Sequence, residues 1–432
     1  MKRKIDIDLL EWKANKSRKV LLLRGARQVG KTYSVRALAE KFTNFLEVNF
    51  EEEKAVKLFF QESLNPNQLC EKLSAYFSIP IIEGETLLFF DEIQACPEAI
   101  SSLRFFHEKM PGLHLVAAGS LLELVLSQIP SHGVGRIQSL FMYPMSFDEF
   151  LAALDENALI EIKNSKSMLP ISEVFHRKII GYLKVFYVVG GMPEIVKTYS
   201  ETKDILECQK KIADILESFK DDFAKYKKRV VVSRLQEVFE SIAFQAGGKF
   251  KYSRIESFHN HRALKDALDL IIQAGLAYKV YHTAAKGAPL GAQIKHNKFK
   301  VVLFDTGVHF RILGLSNADI LVAENIEMIN KGSLAEVFVG NELIKSADNR
   351  AREQLYYWHN EKKGAFAEID YVVQRDRQII PIEVKSGKTG KMQSMHVFIA
   401  QNNSKKGIRL SLENFAKYNN ICVLPLYSTN MV

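Results

Sequence analysis

An N-terminal α/β domain built on a parallel sheet, a helical middle and a C-terminal region of mixed strands and helices are expected of this 432-residue chain. Three observations predict them. Apolar runs of strand length alternate with helically spaced segments over the first third, the pattern of a parallel sheet covered on both faces. Between about Leu151 and Phe223 the apolar spacing becomes helical. The last third returns to alternation with period two, the signature of strands with one buried face. At roughly 150 residues per domain, the length corresponds to about three domains, placed at 1–150, 151–285 and 286–432.

In the first region "KVLLLRG" is an apolar run ending in Gly25, and "KTYSVRALAEKF" places Val35, Leu38, Ala39 and Phe42 at helical spacing. "NFLEVNF", "ETLLFFDE" and "LHLVAAGS" follow as strands. The middle is interrupted by "FYVVGGMPEIV", with Gly190, Gly191 and Pro193. It closes on helices leading into the apolar strand "LAYKVYHT", an order that suits a small winged-helix module or a plain helical linker domain equally.

Hydrophobic residues are 47% of the chain and charged residues 25%, ordinary for a globular protein. No apolar run approaches the roughly 18 residues needed to span a bilayer, so no membrane partner is expected. The basic start "MKRKIDIDLLEWKANKSRKV" lacks the apolar segment of a secretory signal. Cys70, Cys96, Cys208 and Cys422 form neither a metal pattern nor a disulfide framework, so a reducing cytoplasm is the expected location. A net charge of +9 permits a polyanionic partner such as DNA without requiring one.

"GARQVGKT" fits G-x-x-x-x-G-K-[ST] between a strand and a helix, the context in which that motif cradles phosphate. Gly25, Ala26, Arg27, Gln28, Val29 and Gly30 form the loop, and Lys31, Thr32 and Tyr33 open the helix. Glycines let the backbone N–H groups curl toward phosphate oxygens, and the helix N-terminus adds partial positive charge. Lys31 is placed to reach the β- and γ-phosphates of ATP, and Thr32 to hold Mg²⁺. In "LLFFDEIQ" the carboxylates of Asp91 and Glu92 end a buried strand, where ligands bind in open α/β sheets. Asp91 is the second Mg²⁺ residue and Glu92 the base for the attacking water. Ser120, ending "LVAAGS", is a candidate sensor of the γ-phosphate. Arg104 and Arg136 are candidate cations for transition-state charge, Arg136 from a glycine-flanked loop able to serve a neighbouring copy in a homo-oligomer.

In "EIDYVV" and "IIPIEVKSG" the period of two puts Glu368 and Asp370 on one face of the first run, and Glu383 and Lys385 on one face of the second. A hairpin would bring Asp370, Glu383 and Lys385 together. Two close carboxylates call for a cation between them, and oxygen ligands favour Mg²⁺ or Mn²⁺. Lys385 would then steady phosphorane charge or orient water. The basic cluster "KSGKTGK" that follows suits phosphate or a solvated loop.

"LLLRGARQVGKT", "LLFFDEIQ", "AAGSLLEL", "GRIQSLFMYPMSFDEFL", "VGGMPEIV", "VVLFDTGVHFRIL" and "EIDYVV…IIPIEVKSGK…VLPLY", in this order, resemble prokaryotic ATPases with an N-terminal AAA-type domain and a C-terminal domain of unknown function numbered 4143. The resemblance covers essentially the whole chain. It implies a P-loop ATPase core, a helical and winged-helix middle, and a restriction-endonuclease-like, PD-(D/E)xK-type C-terminal fold. It also carries over Lys31 and Thr32 as phosphate and Mg²⁺ residues, Asp91 and Glu92 as the second acidic motif, and Ser120 as sensor. In the C-terminal fold it carries over Glu336, Asp370 and Glu383 as acidic metal residues, with Lys385 beside them. Three functions follow from these readings: an ATP-driven enzyme with a nuclease centre, a switch ATPase whose C-terminal fold binds nucleic acid without cutting it, and a signalling ATPase with a protein partner.

Overall fold

The computed structural model describes residues 1–120, 122–126, 135–165, 169–223, 230–255, 261–315, 332–361, 366–387 and 392–432, apart from the side chains of residues 124 and 125. Most of the "KSGKTGK" cluster, from residue 388 on, lies outside them. The chain divides into two compact units, the first comprising Met1–Tyr143 with Gln273–Gly275 and Asp348–Arg352.

The first unit holds a five-stranded sheet of order β2-β3-β4-β1-β5. Its strands are β1 (Val20–Arg24), β2 (Asn44–Asn49), β3 (Thr86–Asp91), β4 (His114–Ala118) and β5 (Ile137–Phe141), and every pairing is parallel. Every residue of β3 and β4 is buried. Strands covered on both faces need apolar side chains at consecutive positions, which is why "LLFFD" and "LVAA" read as unbroken runs rather than alternations. Phe50, Phe60 and Phe90 fill one face with mutually edge-on rings, centroids 5.3–5.5 Å apart, each such pair contributing about 0.5–1.5 kcal/mol beyond its buried area. The five strands point the same way, so β1 and β3 deliver Gly25 and Asp91 to one edge of the sheet.

The second unit comprises Pro144–Ile272, Leu276–Ala347 and Glu353–Val432. Its helical part includes Phe147–Ala153, Glu173–Val189, Pro193–Thr202, Ile205–Phe223 and Val232–Gln245. Phe147–Ala153 starts on a capping box in which Ser146 and Glu149 satisfy each other's backbone N–H groups. "VGGMP" turns the chain between two helices. Gly190 has φ +73°, and a Cβ there would lie 2.2 Å from Asp305 Oδ1, while one on Gly191 would lie 2.2 Å from the Met145 carbonyl oxygen. Only glycine admits both approaches.

The strands of this unit form two sheets. One has the order β7-β6-β8-β9, built from β6 (Ala277–Thr283), β7 (Ile294–Leu303), β8 (Leu355–His359) and β9 (Glu368–Ile369). The other has the order β10-β11-β12-β14-β13, built from β10 (Tyr371–Arg375), β11 (Gln378–Val384), β12 (Gly407–Ser411), β13 (Ala416–Tyr418) and β14 (Ile421–Pro425). β10 and β11 form the antiparallel hairpin expected from the period-two runs, with Tyr371 opposite Ile382. The helix Ser333–Ser346 is buried along nearly its whole length. Two of its buried polar residues are paired inside: Glu342 accepts from the Phe147 N–H at 3.1 Å, and Lys345 donates to Glu342 and to the Met145 carbonyl.

Candidate functional sites

At the N-terminal site the loop between β1 and the helix Lys31–Ala39 takes left-handed backbone at Gln28 (φ +64°) and Gly30 (φ +97°). These reversals bend the loop around the start of the helix, whose first N–H groups have no intrahelical partners. Lys31 is buried, and its ammonium donates to the carbonyls of Gly25 at 3.0 Å and Ala26 at 2.8 Å. Burial pulls its pKa down to about 8, against the upward pull of Glu92 and Asp91. A buried ammonium held by loop carbonyls is a cation in need of an anionic partner, so the loop fits a polyphosphate. Thr32 donates its hydroxyl to Asp91 Oδ2 at 2.8 Å, which joins the two oxygens expected to hold Mg²⁺.

Glu92, also in left-handed backbone (φ +46°), accepts from Gln94 Nε2 at 2.5 Å, and Ser120 lies 3.5 Å from the same Glu92 oxygen. Gln94 is a neighbour that motif reading missed, because a glutamine two residues past the acidic pair carries no signature of its own. Its Oε1 is buried without a hydrogen-bond partner, and Gly119 leaves the room it occupies, since a Cβ there would lie 2.0 Å from that oxygen. Tyr33 is exposed. Arg136 is half-exposed and pairs with Glu108, and Arg104 stacks over Phe105 at 4.4 Å.

In the second unit Glu336, Asp370, Glu383 and Lys385 gather with Glu368, which shares the face of Asp370, and with one residue that the sequence reading did not place there, Lys300. Lys300, on β7 and 2% exposed, sets its ammonium 2.7 Å from Glu368, 3.4 Å from Glu336 and 3.7 Å from Asp370. Lys385 pairs with Glu383 at 2.7 Å, and Asp370 Oδ2 accepts from the Val384 N–H at 2.8 Å. Four carboxylates thus share two ammonium groups. Burial pushes Glu336, Asp370 and Glu383 upward, Glu336 to about 8 and Glu383 to about 7. Lys300 loses to burial but gains more from Glu336, Asp370 and Glu368, and ends well above its ordinary range. A lysine cation therefore stands among the acids where the residue pattern called for a divalent ion. The nearest sequence signal was a lysine inside "FKVVLF", unremarkable without its partners.

Among the described residues, one group of three His, Cys, Asp or Glu side chains brings its ligand atoms within 4.8 Å of one another: His282, His359 and Glu361. No helix among them is long and apolar enough to cross a membrane. A cleft of about 490 Å³ is lined by Phe250, Tyr252 and Phe299 together with Lys251, Lys265 and His296.

Residues 17–151 match the model of a family described as an AAA domain, residues 181–319 that of a domain of unknown function (DUF8612), and residues 331–429 that of a domain of unknown function (DUF4143). Among solved structures the chain is similar to the Orc1 protein of Aeropyrum pernix in complex with DNA, at 12% identity and a TM-score of 0.30, over 73% of this chain and 93% of that one. It is also similar to unliganded Pif1 from a Bacteroides species, at 15% identity and 0.20, over 39% and 51% of the two chains. A third is PCH-2 of C. elegans, at 14% identity and 0.25, over 47% and 63%. No curated protein matches.

Proposed function

We propose that the protein binds and hydrolyses ATP at the N-terminal site and couples this to nucleic acid bound by the second unit. The observation that carries the reading is the set formed by Lys31, Thr32, Asp91 and Glu92 at the carboxyl ends of β1 and β3, within the segment that matches an AAA domain. In this reading the loop N–H groups and Lys31 bind the phosphates. Thr32 and Asp91 would hold Mg²⁺, which when bound neutralises developing phosphate charge. Glu92 takes the proton of the attacking water, held in place by Gln94, with Ser120 beside it. Arg136 supplies transition-state charge to a neighbouring copy once released from Glu108.

The test is ATP titration with phosphate release. Lys31→Ala is expected to lose tight binding, and Glu92→Gln to bind ATP without turning it over. Normal turnover in Glu92→Gln would remove the water-activating role. For Arg136→Ala the expectation is slower turnover, by roughly 10³-fold or more, at nearly unchanged affinity.

For the second unit we propose two modules, 151–285 and 286–432. The helices Val232–Gln245 and His261–Gln273, followed by the β6–β7 hairpin, support a winged-helix reading of the middle. The basic and aromatic lining of the 490 Å³ cleft beside them suits stacking on bases and contact with phosphate. The β10–β11 hairpin with Asp370, Glu383 and Lys385 supports a restriction-endonuclease-like reading of the C-terminal part. Lys300 favours the second form of that reading, in which this domain binds nucleic acid without cutting it. A dication would have to enter beside a buried ammonium already within 4 Å of three carboxylates, so Mg²⁺ or Mn²⁺ does not fit while Lys300 stays. Calorimetry with Mn²⁺ distinguishes the forms. The wild type is expected to bind none at these carboxylates and Lys300→Ala to gain a site. Binding by the wild type that is lost in Asp370→Ala would restore the nuclease reading.

A further inference from the structure

We propose that His282, His359 and Glu361 form a binding site for a transition-metal dication of the Zn²⁺ class. The site lies where β6 and β8 run parallel, with His282 registered against Tyr357. Alternation along the extended chain places Tyr357, His359 and Glu361 on one side, the side His282 faces. The imidazole centroids of His282 and His359 lie 4.2 Å apart, with the Tyr357 ring 5.5 Å from the first and 5.9 Å from the second.

Two features point to a ligand. The Nε2 of His282 lies 3.4 Å from the His359 carbonyl oxygen, which only a protonated Nε2 can satisfy. That leaves the His282 Nδ1 as the nitrogen with a free lone pair. It is buried in a residue 1% exposed and has no hydrogen-bond partner; the Nδ1 of His359 is buried without a partner as well. Buried ring nitrogens without partners are uncommon in folded proteins because each costs about 1–3 kcal/mol, and both histidines offer a ring nitrogen within 4.8 Å of a Glu361 oxygen and of each other. A ring N–H held by a backbone carbonyl is also how metal-binding histidines are commonly fixed in tautomer and orientation.

The third donor is held in place from the opposite side. Glu361 accepts from Lys295 at 2.6 and 2.7 Å and from Lys298 at 2.8 Å. Unlike the buried Lys300, Lys295 and Lys298 have side chains 44% and 39% exposed, so both ammonium groups can turn to water when a cation takes up Glu361. Two imidazole nitrogens and one carboxylate favour Zn²⁺ or Co²⁺ over Mg²⁺. Three protein ligands leave a fourth tetrahedral position for water or a ligand group.

The experiment is Co²⁺ titration of the full-length chain without nucleotide, followed by visible absorption and competition with Zn²⁺ and Mg²⁺. The expected result is one Co²⁺ per chain with the absorption of a nitrogen-ligated ion, displaced by stoichiometric Zn²⁺ and retained in excess Mg²⁺. His359→Gln and Glu361→Gln should each weaken binding by more than about 100-fold, beyond the 10–100-fold of an outer-shell change. Circular dichroism and ATP titration report whether each variant is folded. Because Glu361 is exposed, its variant stands even if His359→Gln does not fold. No uptake by the wild type, displacement by Mg²⁺, or wild-type affinity in a folded variant would overturn the site.

Discussion

Two lysines in this protein are buried for opposite reasons. Lys31 sits among carbonyls, and burial brings its pKa down to about 8; Lys300 sits among carboxylates and is driven upward. The first difference has a consequence for nucleotide binding. A phosphate beside Lys31 favours the ammonium, so binding takes up a proton wherever the free site has lost it. ATP affinity is therefore expected to fall as pH rises above about 8, by up to about tenfold per unit for one linked proton, a slope that calorimetry across pH 7–9.5 would reveal. A flat profile would place the Lys31 ammonium outside the phosphate contact. The carboxylates around Lys300 make the second prediction. Glu336 at about 8 and Glu383 at about 7 bind protons more tightly in the folded state than the ordinary 4.5. Their stabilisation is complete below about pH 4.5 and lost as pH rises through 7 to 8. Glu336→Gln should flatten part of that loss in denaturant midpoints measured from pH 5 to 9, and an unchanged slope would mean that Glu336 is ionised throughout.

Among the elements, the turn at Gly190 and Gly191 leaves no room for a side chain. The Gly191 carbonyl accepts from the Met145 N–H at 2.6 Å, and a methyl group on Gly191 would have to occupy the space of the Met145 carbonyl. Gly191→Ala is expected to cost about 1–3 kcal/mol, the usual range for forcing an atom into packed interior. A denaturant midpoint equal to the wild type would show that the turn can open. In the first unit β1, β3 and β4 were legible because they are buried on both faces and so read as unbroken apolar runs, whereas β2 alternates in burial. β5 was not read as a strand: "IQSLF" has only Leu140 fully buried, and an edge strand with mixed burial lacks both the run and the alternation. The β10–β11 hairpin was legible from period two. The run "EIDYVV" was read as one strand, but its first two residues form β9 and pair with β8, and the hairpin strand β10 starts only at Tyr371.

For the whole molecule, ATP chemistry and the His282–His359–Glu361 site belong to different compact units. Thr32→Ala should therefore lose ATP turnover and keep Co²⁺ uptake, while Glu361→Gln should do the reverse in assays on the same preparations; loss of both functions in either variant would mean that the units depend on each other for folding. What the sequence determined by itself is whatever short spacing encodes. "GARQVGKT" and "LLFFDE" specify loop, helix start and acidic strand end, because the residues that cooperate are neighbours along the chain or terminate adjacent runs. Likewise "EIDYVV" and "IIPIEVK" specify a hairpin and the side on which its charges fall. Which distant residues join these groups depends on the pairing of strands far apart in the chain. Lys300 comes from β7 and His282 from β6, and they reach Glu368 and His359 because β6 pairs with β7 on one side and with β8 on the other. Strand pairing across so many residues is set by burial of the whole sheet rather than by any local pattern. A lysine in an apolar run and a histidine near a strand end have no special meaning until that pairing places the first among carboxylates and turns the second toward another imidazole.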